Sequence, residues 1–235
     1  MRKHLLIAIF VVLALACAAQ EQTKKQVSPL NPTEPPKTPE GLLTFLLPDN
    51  SAYPERLKEV PRQDATNALI KAQADARGPR ADAIAFLLVI LDADADANRE
   101  RLFESLRTCT RDPESCDDRL LSYLGNLFDR GDKSVLDPLL EASRATDSAL
   151  VEALGSTYDD LVSRDSRAVI ATTSRRPLKD QRRICHMIAT GDGTGLPDEN
   201  VNEVISSLET MAREVGPVAS TAMMCLSEIK AFGSR

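Results

Sequence analysis

A pattern that occurs twice, thirty residues apart, constrains this chain more than any other feature of the sequence. The residues at 117–125 (DDRLLSYLG) are echoed by those at 147–155 (DSALVEALG), and each copy continues into an aromatic residue followed by Asp. A short second apolar segment then follows each copy, at 135–140 and at 168–171. A helix-turn-helix unit repeated at this period is typical of a stacked solenoid, in which each unit buries its apolar face against its neighbours.

Both copies predict an amphipathic first helix with one apolar face. Gly125 and Gly155 occupy the same place in the two copies. A glycine inside a helix costs about 1 kcal/mol relative to alanine. We therefore expect both glycines to mark a close approach of a neighbouring helix. The apolar positions are Leu120, Leu121, Leu124, Leu127 and Phe128 in the first copy, and Leu150, Val151, Leu154, Tyr158, Leu161 and Val162 in the second.

The segment 123–129 (YLGNLFD), running on to 136–142 (LDPLLEA), resembles a HEAT-type α-solenoid repeat. The resemblance covers about two repeats, and it implies an all-α fold built from antiparallel helix pairs. The rest of residues 39–235 follows a helical period, so we expect one α-helical repeat domain there. Thr38 followed by Pro39 predicts its first helix start, and Gly216-Pro217 its last.

The first sixteen residues have the three parts of a signal peptide. Arg2 and Lys3 are positive, residues 5–16 are apolar, and residues 14–16 (ALA) form a small-residue cleavage site. The apolar run is about half the roughly 20 residues that a spanning helix needs. A signal peptide at 1–16 is therefore favoured over a permanent transmembrane segment.

Cys17 comes directly after this cleavage site, and residues 14–17 (ALAC) resemble the lipobox of bacterial lipoproteins. Ala14 departs from the family, which most often has leucine there. The resemblance implies that Cys17 is acylated, becomes the mature N-terminus and anchors the protein to a membrane of the cell envelope, outside the cytoplasm. An ordinary secretory signal with an unmodified Cys17 is the alternative. Residues 17–38 are polar and rich in proline, which predicts a disordered tether.

The net charge argues against two classes of partner. Loss of Arg2 and Lys3 on cleavage changes the formal charge from −6 to −8. Nucleic-acid binding requires a surplus of Lys and Arg to neutralise phosphates, and so does electrostatic binding to anionic lipid. We therefore expect no nucleic-acid partner, and membrane contact through the acyl chains.

Four cysteines remain when Cys17 is set aside: Cys109, Cys116, Cys185 and Cys225. An even number in an exported protein suggests disulfides. Cys109 and Cys116 flank a polar, proline-containing segment that predicts a turn, so these two can pair locally, which leaves Cys185 for Cys225. Buried free thiols are the alternative. Zinc is not expected, because there is no CxxC and only one histidine, His186, follows the signal peptide.

Asp92, Asp94 and Asp96 alternate as the ligands of a calcium-binding EF-hand loop do. Such a loop also needs glycine at its sixth position and a bidentate glutamate at its twelfth, where this chain has Ala97 and Phe103. An acidic start to the following helix, at 99–109, explains the run better, because negative charge complements the helix dipole there.

One basic cluster is present in this acidic chain. It is either a solvated loop and helix face or a docking patch for an acidic partner or an anionic polymer of the cell envelope. The cluster consists of Arg175, Arg176, Lys179, Arg182 and Arg183.

No activated nucleophile or acid–base pair is visible, since Cys185 and His186 are adjacent and point in different directions on a helix. The sequence therefore predicts a non-enzymatic interaction scaffold that is anchored to a membrane of the cell envelope, holds another envelope protein and needs no cofactor. A small-ligand or ion-binding protein with a site near Asp92 is the alternative, and an enzyme is the third choice.

Overall fold

Helices account for the secondary structure of the described part of the chain, and no strand occurs in it. The computed structural model describes residues 36–233, apart from 114, 115, 118, 146, 192, 194 and 197. The predicted signal peptide, Cys17 and most of the tether lie outside the described residues. The all-α prediction is confirmed.

The described residues contain ten α-helices and three short 3-10 turns. The helices are α1 (Pro39–Leu46), α2 (Arg62–Gln73), α3 (Gly78–Ile90), α4 (Ala95–Arg111), α5 (Arg119–Asp129), α6 (Leu136–Ala142), α7 (Ser148–Thr173), α8 (Leu178–Thr190), α9 (Asp198–Ala212) and α10 (Pro217–Gly233). The 3-10 turns span Pro48–Asn50, Pro54–Glu59 and Lys133–Val135.

Short polar side chains and prolines begin several helices, as the sequence indicates. The Thr38 hydroxyl accepts a hydrogen bond from the Gly41 N–H at 3.1 Å, and Pro39 opens α1. Asp147 accepts one from the Leu150 N–H at 3.0 Å, at the start of α7. Each such bond satisfies a backbone donor that a helix start leaves unpaired.

Helix α3 is buried on all its faces, and α2, α4 and α5 pack against it. Every residue from 81 to 89 is buried. Phe86 of α3 stacks on Tyr123 of α5, with the ring centroids 4.6 Å apart. The apolar run at 80–91 therefore forms the buried helix that its length and flanking alanines predict.

The two echoed copies fold into related pairs of helical segments. In the first copy α5 is followed by the turn Lys133–Val135 and α6. In the second, α7 contains both segments and bends at Asp165, whose φ is −152° and ψ 73°. The Asp165 carboxylate accepts from the Ala168 N–H at 3.0 Å, so it caps the second segment.

Helices separated by one other helix also pack together along the chain. Contacts join α3 with α5, α4 with α6, α5 with α7, α7 with α9, and α8 with α10. Two layers of stacked helix pairs have contacts of this kind. The HEAT-like solenoid arrangement itself stays a prediction.

The two echoed glycines differ in their surroundings, although they match in sequence. A Cβ on Gly155 would lie 2.7 Å from the carbonyl carbon of Gly191, in the loop between α8 and α9. A Cβ on Gly125 would meet nothing within 4 Å. The expected close approach exists only at Gly155, where the neighbour is a loop. For Gly125 the expectation is wrong, because that side of α5 faces open space.

None of the helices in the described part of the chain is both long enough and apolar enough to cross a membrane.

Candidate functional site

The four cysteines of the helical domain form two disulfides. Cys109 and Cys116 join the end of α4 to the segment before α5, with Cα atoms 4.7 Å apart. Cys185 of α8 and Cys225 of α10 are joined, with Cα atoms 4.4 Å apart. This is the pairing expected from the sequence. Cys185 and Cys225 are fully buried, so their bond links two helices inside the core.

His186 lies beside Cys185 in sequence but forms no catalytic pair with it. Its Nδ1 is 3.2 Å from a carboxylate oxygen of Glu228, and its side chain is mostly exposed. Cys185 is oxidised and cannot supply a thiolate nucleophile.

The predicted basic cluster divides into two groups with different surroundings. Arg176 and Arg183 are partly buried and bind the polypeptide backbone. Arg176 donates to the Asp137 carbonyl at 2.5 Å and to its carboxylate at 2.6 Å. Arg183 donates to the Ser143 carbonyl at 3.1 Å, just past the end of α6. Ser143 follows the C-terminus of α6, where the positive charge of Arg183 is favourable, whereas Asp137 lies in the first turn of α6. Both arginines therefore stabilise the fold by holding α6 at its two ends.

Two further side chains complete the C-terminal end of α6. The Tyr158 hydroxyl, fully buried in α7, donates to the Leu139 carbonyl at 2.5 Å. The Ser143 hydroxyl donates to the Leu140 carbonyl at 2.7 Å. Carbonyls in the last turn of a helix lack partners within it. The donors here come from α7 and from Ser143, the residue directly after α6. Burial raises the pKa of the Tyr158 hydroxyl, which stays protonated and remains a donor.

The other three residues of the cluster, Arg175, Lys179 and Arg182, are exposed. Leu178 lies among them in sequence and is 54% exposed. Arg175 is 3.8 Å from the Asp137 carboxylate, whereas Lys179 and Arg182 make no ion pair with any described residue. We call Arg175, Leu178, Lys179 and Arg182 the basic face. It combines positive charge with an exposed apolar side chain.

The acidic run at the start of α4 does not converge on one point. Asp92 and Asp94 have positive φ angles of 52° and 47°, and both side chains are exposed. Asp96 pairs with Arg99 at 2.6 Å. Among the described residues, no group of three or more His, Cys, Asp or Glu side chains could hold a metal ion. Helix α4 begins at Ala95, four residues earlier than the sequence indicates.

A polar cavity that the sequence analysis missed lies between α3, α4 and the segment before α5. Its volume is about 390 Å³, and two buried carboxylates, Asp82 and Asp117, line it. Arg101, Ser105 and Thr108 contribute one face of α4, at helical spacing. Asp82 is a single charged residue within an otherwise apolar stretch of α3. That isolated charge is the feature of the sequence that could have indicated this cavity.

The two carboxylates have different partners. The Ser105 hydroxyl donates to Asp82 at 2.7 Å. Asp117 accepts from the Arg119 Nε at 2.8 Å through one oxygen, whereas no described residue donates to its buried second oxygen, Oδ2. Burial raises the pKa of Asp82 above its ordinary value, the negative charge of Asp117 adds to the rise, and Ser105 and Arg101 oppose it.

A second polar groove, of about 450 Å³, runs between α5 and α7. Gly125 lies in its wall, and Asp129 forms an ion pair with Arg164 beside it. This groove explains the open space next to Gly125.

Comparison of this chain with protein-family models, curated protein sequences and solved structures found no match in any of the three.

Proposed function

We propose that this protein is a lipid-anchored scaffold of the bacterial cell envelope, which holds an acidic partner protein on the basic face of its helical domain. The observation that carries the proposal is the division of the basic cluster. Arg176 and Arg183 bind backbone carbonyls, whereas Lys179 and Arg182 are exposed and unpaired within the described part of the chain.

Charge and apolar exposure together favour a protein partner. Positive side chains on the surface attract a partner whose own surface is acidic. Leu178, 54% exposed, offers an apolar contact and lies between Arg175 and Lys179 in sequence. An apolar contact surrounded by a polar rim is the usual anatomy of a protein interface. The partner segment is therefore acidic and carries an apolar residue.

The membrane part of the proposal rests on the residues before the described domain. The order of positive charge, apolar run, small residues and Cys17 supports export and acylation. Several acyl chains, each contributing about 0.8 kcal/mol per buried methylene, would anchor the protein stably. The proline-containing segment up to Thr38 would then hold the helical domain away from the bilayer.

Lipidation is tested by the intact mass of the protein extracted from its native membrane, beside a Cys17→Ser variant. The expected wild-type mass is that of a chain starting at residue 17 with acyl groups added, and the variant should lack them. A wild-type chain that starts elsewhere and carries no acyl group would contradict the anchor.

Partner binding is tested by chemical cross-linking and co-purification from native membranes. The variant is Lys179→Glu/Arg182→Glu, which reverses two charges of the basic face. The matched control is Lys58→Glu/Lys71→Glu, since both lysines are exposed and lie in the N-terminal part of the domain. We expect the first variant to lose a partner that the wild type and the control retain.

Three other results would contradict or change the proposed role of the basic face. Equal recovery of the partner by both variants would show that the basic face is a solvated surface. Loss of the partner in both would mean that overall charge matters and the position of the charges does not. In a separate assay, the protein could bind anionic vesicles, and only the Lys179→Glu/Arg182→Glu variant could lose that binding. This result would mean that the basic face binds a lipid surface instead of a protein.

A further inference from the structure

The cavity between α3, α4 and the segment before α5 has no role in the scaffold proposed above. Its interior carries the carboxylates of Asp82 and Asp117, and Arg101 lies in its wall. Gly78 and Pro79 lie at its exposed side. We propose that this cavity binds a small zwitterion of the α-amino acid class, with its ammonium group on Asp82 and Asp117 and its carboxylate on Arg101.

Asp117 Oδ2 is a buried oxygen with no hydrogen-bond donor among the described residues. The Asp117 side chain is only 5% exposed, yet no described residue donates a hydrogen bond to this oxygen. A buried charged oxygen without a donor carries the full cost of its lost hydration. A donor from a bound molecule would satisfy it, and an ammonium group has three N–H donors to share between two carboxylates.

An ammonium group fits this pair better than a metal ion does. Calcium takes six to eight oxygen ligands, and zinc takes four nitrogen, sulfur or oxygen ligands. Within the described ranges, no set of three or more acidic, histidine or cysteine side chains is placed to hold a metal. Glu104 also lines the cavity, but it is exposed and already forms ion pairs with Arg107 and Arg111.

Arg101 would bind the carboxylate group of the ligand. It lines the cavity on α4, one turn before Ser105, and it makes no ion pair within 4.0 Å with any described residue. Arg101 and Asp82 both line this cavity, and the charge of Arg101 acts on Asp82. A guanidinium group binds a carboxylate through two parallel hydrogen bonds. The cavity lining therefore offers two carboxylates for a cationic group and a guanidinium group for an anionic one.

The volume limits the size of the ligand. At about 390 Å³, the cavity is near the lower end of the range for small-molecule sites. It can hold an amino acid with a short side chain. It is too small to enclose a folded partner, and so it is separate from the basic face.

The test measures ligand binding to the full-length protein in detergent by titration calorimetry, with glycine, L-alanine and L-serine as probes. Ethylamine, which lacks the carboxylate, and N-acetylglycine, which lacks the ammonium group, are the comparison probes. We expect the amino acids to bind, and each comparison probe to bind at least about tenfold more weakly, because each loses one charged contact.

The variants are Asp117→Asn and Arg101→Gln, with Asp75→Asn as the matched control because Asp75 is exposed. Asp117→Asn should weaken amino-acid binding at least about tenfold, and Arg101→Gln should reduce it to the level of ethylamine. The control should bind as the wild type does. Arg101 holds no described partner, so its variant remains informative even if Asp117→Asn unfolds.

Three results would overturn the proposal. The wild type could bind none of the three amino acids, in which case water alone fills the cavity. Asp117→Asn could bind them as tightly as the wild type does. Ethylamine could bind as tightly as glycine with no effect of Arg101→Gln, which would leave a simple amine site and no recognition of a zwitterion.

Discussion

Gly125 and Gly155 show how one residue type acts differently in two surroundings. Gly155 lies against the backbone of Gly191, so the absence of a side chain allows α7 to approach the loop after α8. Gly125 faces the groove between α5 and α7, where a methyl group would meet no atom within 4 Å. Only the first glycine is required by packing.

We therefore expect opposite effects from the same substitution at these two positions. Gly125→Ala should stabilise the protein by about 0.5–1 kcal/mol, because alanine is the better helix former. Gly155→Ala should destabilise it by about 1–3 kcal/mol, because the methyl group would overlap the Gly191 carbonyl. Urea unfolding midpoints measure both changes. Equal effects of the two substitutions would contradict the difference in packing.

Tyr158 acts through a single hydroxyl group. The Tyr158→Phe substitution would remove the hydrogen bond from this hydroxyl to the buried Leu139 carbonyl, at a cost of about 1–3 kcal/mol. Tyr53→Phe is the control, since Tyr53 is 37% exposed and its ring contact with Arg56 survives the change. Thermal unfolding of the two variants is the measurement. If both melt as the wild type does, the hydroxyl does not stabilise the end of α6.

At the scale of elements, the two disulfides constrain the chain differently. Cys109–Cys116 closes a separation of 7 residues, whereas Cys185–Cys225 closes one of 40 and joins α8 to α10. Chain entropy predicts a contribution below about 3 kcal/mol for the first and about 4 kcal/mol for the second.

Paired alanine substitutions separate these contributions. Cys185→Ala/Cys225→Ala should raise the hydrogen-exchange rates of α8 and α10 before those of α5 and α7 change, because the covalent link between these two helices is lost. Cys109→Ala/Cys116→Ala should have a smaller effect, confined to the connection between α4 and α5. The opposite order of stabilities would contradict the chain-entropy explanation.

Arg182 and Arg183 are adjacent in α8, but only Arg183 makes a hydrogen bond to another part of the described chain. Arg183→Gln should destabilise the protein by about 1 kcal/mol, because the Ser143 carbonyl loses its charged donor. Arg182→Gln should leave the melting temperature unchanged, since Arg182 is exposed and has no ion pair with a described residue. The two melting curves measure this difference, and an equal loss in both variants would contradict it.

At the scale of the whole molecule, three carboxylates join elements that are separate in sequence. Asp132 pairs with Arg99, Asp165 with Lys133, and Asp180 with Arg144. The pKa of Asp180 is lowered chiefly by its hydrogen bond and its charge interaction with Arg144. Burial alone would raise the pKa of Asp132 and of Asp165, but their hydrogen bonds and cationic partners outweigh burial, and both pKa values are lowered.

The sign of the pH dependence follows from these shifts. A carboxyl group whose folded-state pKa is lowered stabilises the fold above its unfolded pKa of about 3.9 and loses that contribution as the pH falls through the folded value. Asp82 has the opposite sign, because its raised pKa favours the fold at acid pH. The hydrogen bond from Arg167 lowers the pKa of a fourth carboxyl group, Glu214, in the same way. Four lowered groups against one raised group predict a net loss of stability below about pH 4.

Asp165→Asn tests one of these contributions. Asparagine can still cap the second segment of α7, but it cannot pair with Lys133. We expect the variant to be less stable than the wild type at pH 6 and to approach it at pH 2.5, as measured by urea unfolding at each pH. Asp75→Asn should show no such convergence. A constant difference between Asp165→Asn and the wild type at both pH values would exclude the ion pair as the cause.

The sequence by itself determined the features that depend on short stretches of chain. Helix periodicity, the Thr38 cap and the buried run at 80–91 all follow from neighbours a few residues apart, and the structure agrees with them. The all-α class was predictable for the same reason. The disulfide pairing was also predictable, because one short loop left a single partner for each remaining cysteine.

Only the tertiary structure decided the features that depend on which distant residues meet. Gly125 and Gly155 match in sequence, but a groove lies beside one and the Gly191 backbone beside the other. The basic cluster divides because two of its five side chains contact α6, Arg176 at its first turn and Arg183 just past its end. Asp82 and Asp117 come together because α3 packs between α4 and α5. Periodicity within one helix carries no information about such contacts, since they arise from the packing of whole helices against each other.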